Sequence, residues 1–226
     1  MISFIIPAHN EEFLICGTIS ALHTAATATS ERYEIIVVDD ASTDGTATVA
    51  VRWGAQVHSV QYRHIAAARN AGAAEAKGDL LVFVDADTVV PGTIVSAALL
   101  AVQEGAIGGG AKARFDGSIP IYGHILAWLW RSLQRYGKLA SGCFLFCTRS
   151  SFEAAGRFDE ALYAAEDVAL SRRLRQLGRF VILDEEVVTS ARNLRSQSGF
   201  KVLILVAGFV LRGPKFFMTR RAPWYR

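Results

Sequence analysis

Four short apolar runs fall within the first 84 residues: 2–6 (ISFII), 34–38 (EIIVV), the weaker 55–60 (AQVHSV) and 80–84 (LLVFV). A strand covered on one face alternates apolar with polar residues, whereas one covered on both faces reads as a continuous apolar run. Three of the runs stop abruptly, at Pro7, at Asp39-Asp40 and at Asp85. Helical patterns separate them over 11–27, 46–53, 65–77, closed by Gly78, and 91–103, opened by Pro91. Pro at a helix start loses no bond, and Gly past the end is a common stop. Strand and helix in alternation with short links give right-handed βαβ units. The expected fold class is therefore α/β, a doubly wound and mostly parallel sheet.

The second half is less regular. Residues 107–115, 142–147 and 180–183 read as strands, 121–136 as an amphipathic helix, and 167–177 as a helix ending at Gly178. These pieces make a smaller antiparallel part beside the parallel sheet. No linker rich in Pro, Gly or Ser divides the chain, so 1–198 is read as one domain and 199–226 as a basic, apolar appendage. A chain of 226 residues with 51% hydrophobic and 20% charged residues buries a sizeable core and is not disordered. Three Cys, an odd number, make no disulfide framework and point to a reducing, cytoplasmic setting. The first residues, MISFIIPAHNEE, have no basic region before a short apolar run and do not read as a secretory signal.

Carboxylates gather just beyond the apolar runs: Asp39-Asp40, Asp85-Ala86-Asp87, and Glu166-Asp167 at a helix start. In open α/β sheets, ligands bind outside the carboxyl ends of the strands. Grouped acids there repel one another, and a cation or a hydrogen-bonding ligand offsets the repulsion. Asp85 and Asp87 either sit as solvated turn residues or present one carboxylate to a ribose and the other to Mg²⁺ or Mn²⁺, which take hard oxygen ligands and substrate phosphates together. The position after a buried run favours the second reading. Asp39, Asp40 and the Ser-Thr-Asp-Gly that follows include helix-capping residues, but only one of two adjacent carboxylates easily caps. Glu166-Asp167 are either first-turn acids favoured by the helix dipole or catalytic groups. Arg69 either lies on an exposed helix face or makes a charge-assisted bond to a nucleotide. His9 and His64 read more readily as structural than as pocket residues. Cys143 and Cys147, placed on one face of a strand, read as buried free thiols.

Taken in order, PAHNEE (7–12), VVDDASTDGT (37–46), AARNAGAAEAKGD (67–79) and FVDADTVVP (83–91) resemble the successive signatures of family-2 glycosyltransferases of GT-A fold. Residues 141–178 resemble their acceptor half, including the Glu-Asp before a helix. The resemblance implies inverting transfer of a sugar from a nucleotide-diphosphate donor to an acceptor hydroxyl. It implies that Pro7, Asn10, Glu11, Asp39, Asp40, Arg69 and Asp85 serve the nucleotide: Asp39 or Asp40 the base, Asp85 the ribose. Asp87 is then the ligand of Mg²⁺ or Mn²⁺ on the diphosphate, and Asp167 the general base, with adjacent Glu166 able to exchange roles. No Gln-x-x-Arg-Trp motif follows, so the resemblance is to a compact, non-processive branch. The stretch 187–200 (VVTSARNLRSQSGF) brings Arg192 or Arg195 toward the diphosphate in that reading, against the alternative of solvated basic residues.

From Val188 to the end there are eight Lys or Arg and no Asp or Glu, leaving 16 basic and 21 acidic residues in the rest. That division argues against nucleic-acid binding and for a tail that meets something anionic. Residues 201–211 (KVLILVAGFVL) are too short to span a hydrocarbon core of about 30 Å. With Phe216, Phe217, Trp224 and Tyr225 among basic residues, and Trp128 and Trp130 upstream, the tail suits an anionic membrane surface at the inner face, or else packs on the domain. A lipid-linked or other hydrophobic acceptor fits the first option. The rival readings are a sugar nucleotidyltransferase, which usually has a Gly-rich basic loop where PAHNEE stands, and a nucleotide-binding module without transfer.

Overall fold

The computed structural model describes residues 1–117 and 137–192, together with 119, 123, 124, 128, 134 and 195. The parallel half of the sheet is built from β1 (Ile2–Ala8), β2 (Tyr33–Asp40), β3 (Gln56–Val60) and β4 (Leu80–Phe83). Helices α1 (Ile15–Thr27), α2 (Thr46–Arg52) and α3 (Ile65–Glu75) connect them, and α4 (Ile94–Gln103) follows β5 (Thr88–Val89). Then come β6 (Gly108–Phe115), β7 (Leu145–Thr148), α5 (Arg149–Ala154), α6 (Glu166–Leu177) and β8 (Phe180–Thr189). The order across the eight-stranded sheet is β3-β2-β1-β4-β7-β6-β8-β5. Strands β1 to β4 pair in parallel, β7 runs antiparallel to β4 and β6, and β6 and β8 are parallel. The mostly parallel sheet with an antiparallel part is thus one continuous sheet.

Both faces of β1, β2 and β4 are covered, which is why these three strands carry no polar face. Ile2, Phe4 and Ile6 of β1 pack with Ile15, Ile19 and Leu22 of α1 and Ile94 of α4. Ile5 points the other way, with Ile36, Val38, Leu81 and Phe83, against Ala66 of α3, Phe152 of α5 and Leu170 of α6. Burying side chains of this size stabilises by about 1.5–3 kcal/mol each. Pro7 stands in β1 beyond the last pair with β4, Ile5↔Phe83.

Several element ends depart from the sequence expectations. Helix α1 begins at Ile15, not residue 11, because the Glu11 amide donates to Thr46 Oγ1 at 2.8 Å and the Glu12 carboxylate accepts from the Gly45 amide at 2.8 Å. Pro91 precedes α4 by a turn, its carbonyl accepting from the Ile94 amide at 3.2 Å. Gly78 does not cap α3, whose cap is Ala76. A Cβ on Gly78 would lie 2.7 Å from the Met1 carbonyl and from Ser3 Oγ, so close approach to β1 is its reason. The end of α3 is closed instead by Arg149, whose guanidinium donates to the carbonyls of Ala73, Ala76 and Gly78 at 2.6–3.2 Å. The strand expected over 142–147 starts only at Leu145, after a turn closed by Phe144 N–H to the Ser141 carbonyl at 3.2 Å. That turn separates the two cysteines: Cys147 is buried on the α3 side and Cys143 packs against the opposite cluster. Both are free thiols. Strand β8 runs on past Leu183 to Thr189, through an irregularity where Ala111 pairs with Leu183 but Lys112 with Glu186. The charged Asp184 and Glu185 fall in that bulge.

Of the helix expected over 121–136, the described residues Gly123, His124, Trp128 and Gln134 are helical; Trp128 is exposed and Gln134 Nε2 donates to the Ala111 carbonyl at 3.1 Å. Trp130 and the appendage 199–226 lie outside the described residues. Among the described residues no helix is long and apolar enough to cross a membrane.

Candidate active site

Parallel strands β1, β2 and β4 all end on the same edge, so the loops that follow them meet there. The turn before β7 and the N-terminus of α6 reach the same place. The loops after β1 and β2 are tied together by side chains. Asn10, at φ 55°, accepts from the Thr43 amide at 2.8 Å. His9 Nδ1–H donates to the Asp40 carbonyl at 2.7 Å.

Asp39 and Asp40 diverge in role. Asp40 is fully buried and its carboxylate accepts from the amides of Arg63 and His64 at 2.7 and 2.8 Å. It therefore shapes the loop before α3. Asp39, the preceding residue of the strand, has a buried Oδ1 with no hydrogen-bond partner. A buried carboxylate oxygen left unsatisfied in a native fold is costly unless a ligand completes it. His64 accepts from the Ala67 amide as the cap of α3, and its ring lies tilted by 55° against Tyr163 with centroids 4.8 Å apart, a structural duty.

Arg69 lies at the centre. Its side chain is 1% exposed. One Nη donates to Asp85 Oδ1 at 2.7 Å and the other to Glu166. The guanidinium also lies 5.3 Å from the centroid of the Phe158 ring. Two neighbouring carboxylates, with Asp167 beyond, hold it firmly protonated against the cost of burial. Sequence reasoning placed Arg69 toward the nucleotide; the structure engages both its Nη atoms with protein carboxylates from two different motifs. Gly142 makes room for it, since a Cβ there would fall 2.3 Å from Nη2.

The Gly142 amide also donates to Asp167 Oδ2 at 2.6 Å, and the Val168 amide donates to Oδ1 at 2.7 Å. Ala165, immediately before Glu166-Asp167, is left-handed at φ 59°, a strained conformation for a residue with a Cβ. Desolvation, then the neighbouring Glu166 charge, push the Asp167 pKa up to about 7 against the pull of Arg69 and the two amides. Burial, followed by the charges of Asp85 and Glu11, likewise pushes Asp87 up to about 7.

The extension of β8 brings Thr189 beside Asp87, its Oγ1 donating to Oδ1 at 3.2 Å, with the Ser190 amide on the Asp87 carbonyl at 3.3 Å. Just beyond, Arg192 donates to Glu11 Oε1 at 2.5 Å, while Arg195 pairs with Asp116 at 3.3 Å. Of the two arginines, Arg192 is therefore the one beside Glu11 and Asp87. Glu11 Oε2 is buried without a partner, and burial raises the Glu11 pKa. Thr189 and Gly142 had no place among the expected site residues. Thr189 lay in the Thr-Ser-x-Arg stretch, but nothing local announces that a strand carries it back to Asp87.

Among the described residues no group of three or more His, Cys, Asp or Glu stands ready to hold a metal unaided. The donor set nonetheless fits a hard divalent cation shared with a ligand. The charges of Asp85 and Glu11 add to burial in raising the Asp87 pKa, Glu11 has an unpartnered oxygen, and the side chains offer hard carboxylate oxygens. Mg²⁺ and Mn²⁺ sites of this kind use one or two carboxylates and take their other ligands from water and phosphate.

A doubly wound sheet with strand-end acids and an Asp-x-Asp pair defines a GT-A architecture. Among solved structures it is similar to a mannosyltransferase from Pyrobaculum calidifontis in complex with GDP-Man and Mn²⁺, with TM-score 0.71 and 20% identity over 99% of this chain and 66% of that one. It is also similar to residues 1–349 of TarS from S. aureus in complex with UDP-GlcNAc, with TM-score 0.66 and 18% identity over 93% of this chain and 66% of that one. Residues 3–159 match the family described as glycosyl transferase family 2, and the chain belongs to that family. An undecaprenyl-phosphate 4-deoxy-4-formamido-L-arabinose transferase from Aeromonas hydrophila is 34% identical over 99 residues, which are 40% of this chain and 30% of that protein. A 4,4'-diaponeurosporenoate glycosyltransferase from Staphylococcus haemolyticus is 39% identical over 93 residues, 38% of this chain and 24% of that protein. The matched stretch thus spans less than a third of either curated relative.

Proposed function

We propose that this chain is an inverting, metal-dependent glycosyltransferase that moves one sugar from a nucleotide-diphosphate donor to a hydroxyl of a lipid-linked or other hydrophobic acceptor. The observation that carries the reading is the meeting, across buried Arg69, of a donor-side pair, Asp85 and Asp87, with an acceptor-side pair, Glu166 and Asp167. Family membership and the nucleotide sugars bound by the structural neighbours support a nucleotide-sugar donor. The lipid-related names of the two curated relatives support the acceptor class.

On this reading Asp39 accepts a hydrogen bond from the base through its unpartnered oxygen, and Asp85 takes a ribose hydroxyl. Asp87, with Glu11 nearby, holds the divalent cation, which when bound neutralises charge on the diphosphate. Asp167 removes the proton from the acceptor hydroxyl as that oxygen attacks the anomeric carbon from the face opposite the diphosphate. The bond from the anomeric carbon to the diphosphate oxygen breaks, its electron pair leaves with the nucleoside diphosphate, and the configuration inverts. Arg192 is positioned to exchange Glu11 for the diphosphate. The two amides that hold Asp167 fix the direction of its carboxylate, and the raised pKa matches a base working near neutrality.

Incubation with UDP- and GDP-sugars, Mn²⁺ and a hydroxyl-bearing lipid acceptor, a polyprenol or a hydroxylated carotenoid, tests the proposal. Release of nucleoside diphosphate dependent on acceptor is expected. Formation of pyrophosphate from UTP or GTP and a sugar 1-phosphate, run alongside, would indicate nucleotidyl transfer instead, and donor binding without release of nucleoside diphosphate a non-catalytic module.

A further inference from the structure

Arg69 is a single buried cation set between carboxylates that belong to different halves of the site. Asp85 follows β4 and belongs to the donor side; Glu166 opens α6 and belongs to the acceptor side. Each is held by a separate Nη of one planar guanidinium, so the two bonds share one charge and one orientation. The position is enclosed. Phe158 lies against the guanidinium, and Gly142 leaves space only for a hydrogen beside Nη2. Gly142 also donates its amide to Asp167, so the same short turn touches both the cation and the base. Asn70, the next residue of α3, bonds the Phe158 backbone through both its amide atoms, at 3.0 and 3.1 Å, and pins the segment that leads to Glu166.

We propose that Arg69 is a positioning residue that couples the donor half of the site to the acceptor half. The inference rests on the glycosyltransferase reading. A ribose hydroxyl that donates to Asp85 takes up part of that carboxylate's charge. The Arg69 bond to Asp85 then weakens and its bond to Glu166 tightens, and Glu166 is covalently followed by Asp167. Donor binding thereby sets the start of α6 for the acceptor. Linkage makes the effect reciprocal: a change at Glu166 alters the affinity for nucleotide, although Glu166 touches none. Lysine at this position has a compact ammonium without the planar fork, and cannot hold both carboxylates in the same geometry.

The test is calorimetric titration of UDP and GDP, each with Mn²⁺, into wild type, Glu166→Gln, Arg69→Lys and the double variant. Loss of the Glu166 charge lets Arg69 close on Asp85 and compete with the ribose, so Glu166→Gln weakens nucleotide binding by about 3- to 10-fold, the range of coupling between neighbouring groups. In the Arg69→Lys background the same change has less than about a twofold effect. If the Arg69 variant does not fold, Glu166→Gln and Glu166→Leu decide in the wild-type background. Weakening then grows from Gln, which still accepts from Arg69, to Leu, which does not. Unchanged affinity, or equal tightening by Gln and Leu as simple relief of negative charge requires, overturns the proposal. If wild type binds neither UDP nor GDP, the glycosyltransferase reading falls and this inference with it. Binding by wild type without the coupling removes only the inference.

Discussion

In the proposed mechanism Asp167 has two roles to reconcile: it is held by two backbone amides, and it accepts a proton. Amide donors stabilise its charge, while burial and Glu166 oppose it, and the balance puts its pKa at about 7. A base works only when deprotonated, so kcat/KM, which reports the free protein, rises as pH rises through about 7 and levels above it. Asp167→Asn removes the base while keeping one acceptor oxygen for the amides. Turnover falls by about 100-fold or more, and nucleotide affinity changes little; steady-state kinetics and calorimetry check the two parts. The same shift has a consequence for stability. The native state keeps a proton that the unfolded chain releases near the ordinary value of 3.8, so this group's contribution is lost as pH rises toward 7. At this scale the sequence was partly legible. The place after a buried run drew attention to Asp85 and Asp87, and the start of a helix to Glu166 and Asp167, and the structure brings Asp85 and Glu166 onto one guanidinium, but the adjacent pair Asp39-Asp40 reads the same in sequence. Only the loop before α3, folded onto Asp40, tells the two apart.

At the scale of elements, apolar runs without alternation announced β1, β2 and β4 because both their faces are covered, and the bounds of these strands hold closely. The antiparallel part was harder. Asp184 and Glu185 read as the end of a strand, yet the bulge lets β8 continue and deliver Thr189 to Asp87. A long-range pairing with β6 decides that, and no local propensity reports it. The end of α3 shows the same limit. Gly78 reads as a stop, whereas the carbonyls there are satisfied by Arg149, more than 70 residues along the chain. Arg149→Met leaves those carbonyls without their partner. It costs about 2–4 kcal/mol and lowers Tm by roughly 5–10 °C for a chain of this size. Because Arg149 lies away from the acids of the site, kcat measured well below the transition is expected to stay close to wild type.

For the whole molecule, the division of charge bears on where the enzyme works. The acids of the site come before residue 168, and eight basic residues follow Val188. Each Lys or Arg near an anionic surface contributes about 1 kcal/mol, less as salt rises. If the basic tail meets an anionic membrane surface, the protein co-sediments with anionic vesicles at low salt, is released at high salt, and binds neutral vesicles weakly. Deleting residues from Arg212 onward removes most of the vesicle binding and spares nucleotide binding. Full-length protein left in the supernatant with anionic vesicles at low salt would make the tail part of the folded surface. Exposed Trp128 belongs to the same question, since an aromatic ring open to solvent suits a membrane interface.

In the proposed mechanism Asp87 serves the donor through a divalent cation while Asp167 serves the acceptor. One calorimetric comparison tests it: UDP and GDP titrated with and without Mn²⁺ into wild type, Asp87→Ala and Asp167→Asn. Wild type and Asp167→Asn should bind the preferred nucleotide with affinities within about threefold of each other, and only when Mn²⁺ is present. Asp87→Ala should lose the Mn²⁺-dependent binding. Metal-dependent binding that survives unchanged in Asp87→Ala, or that disappears in Asp167→Asn, would contradict the account.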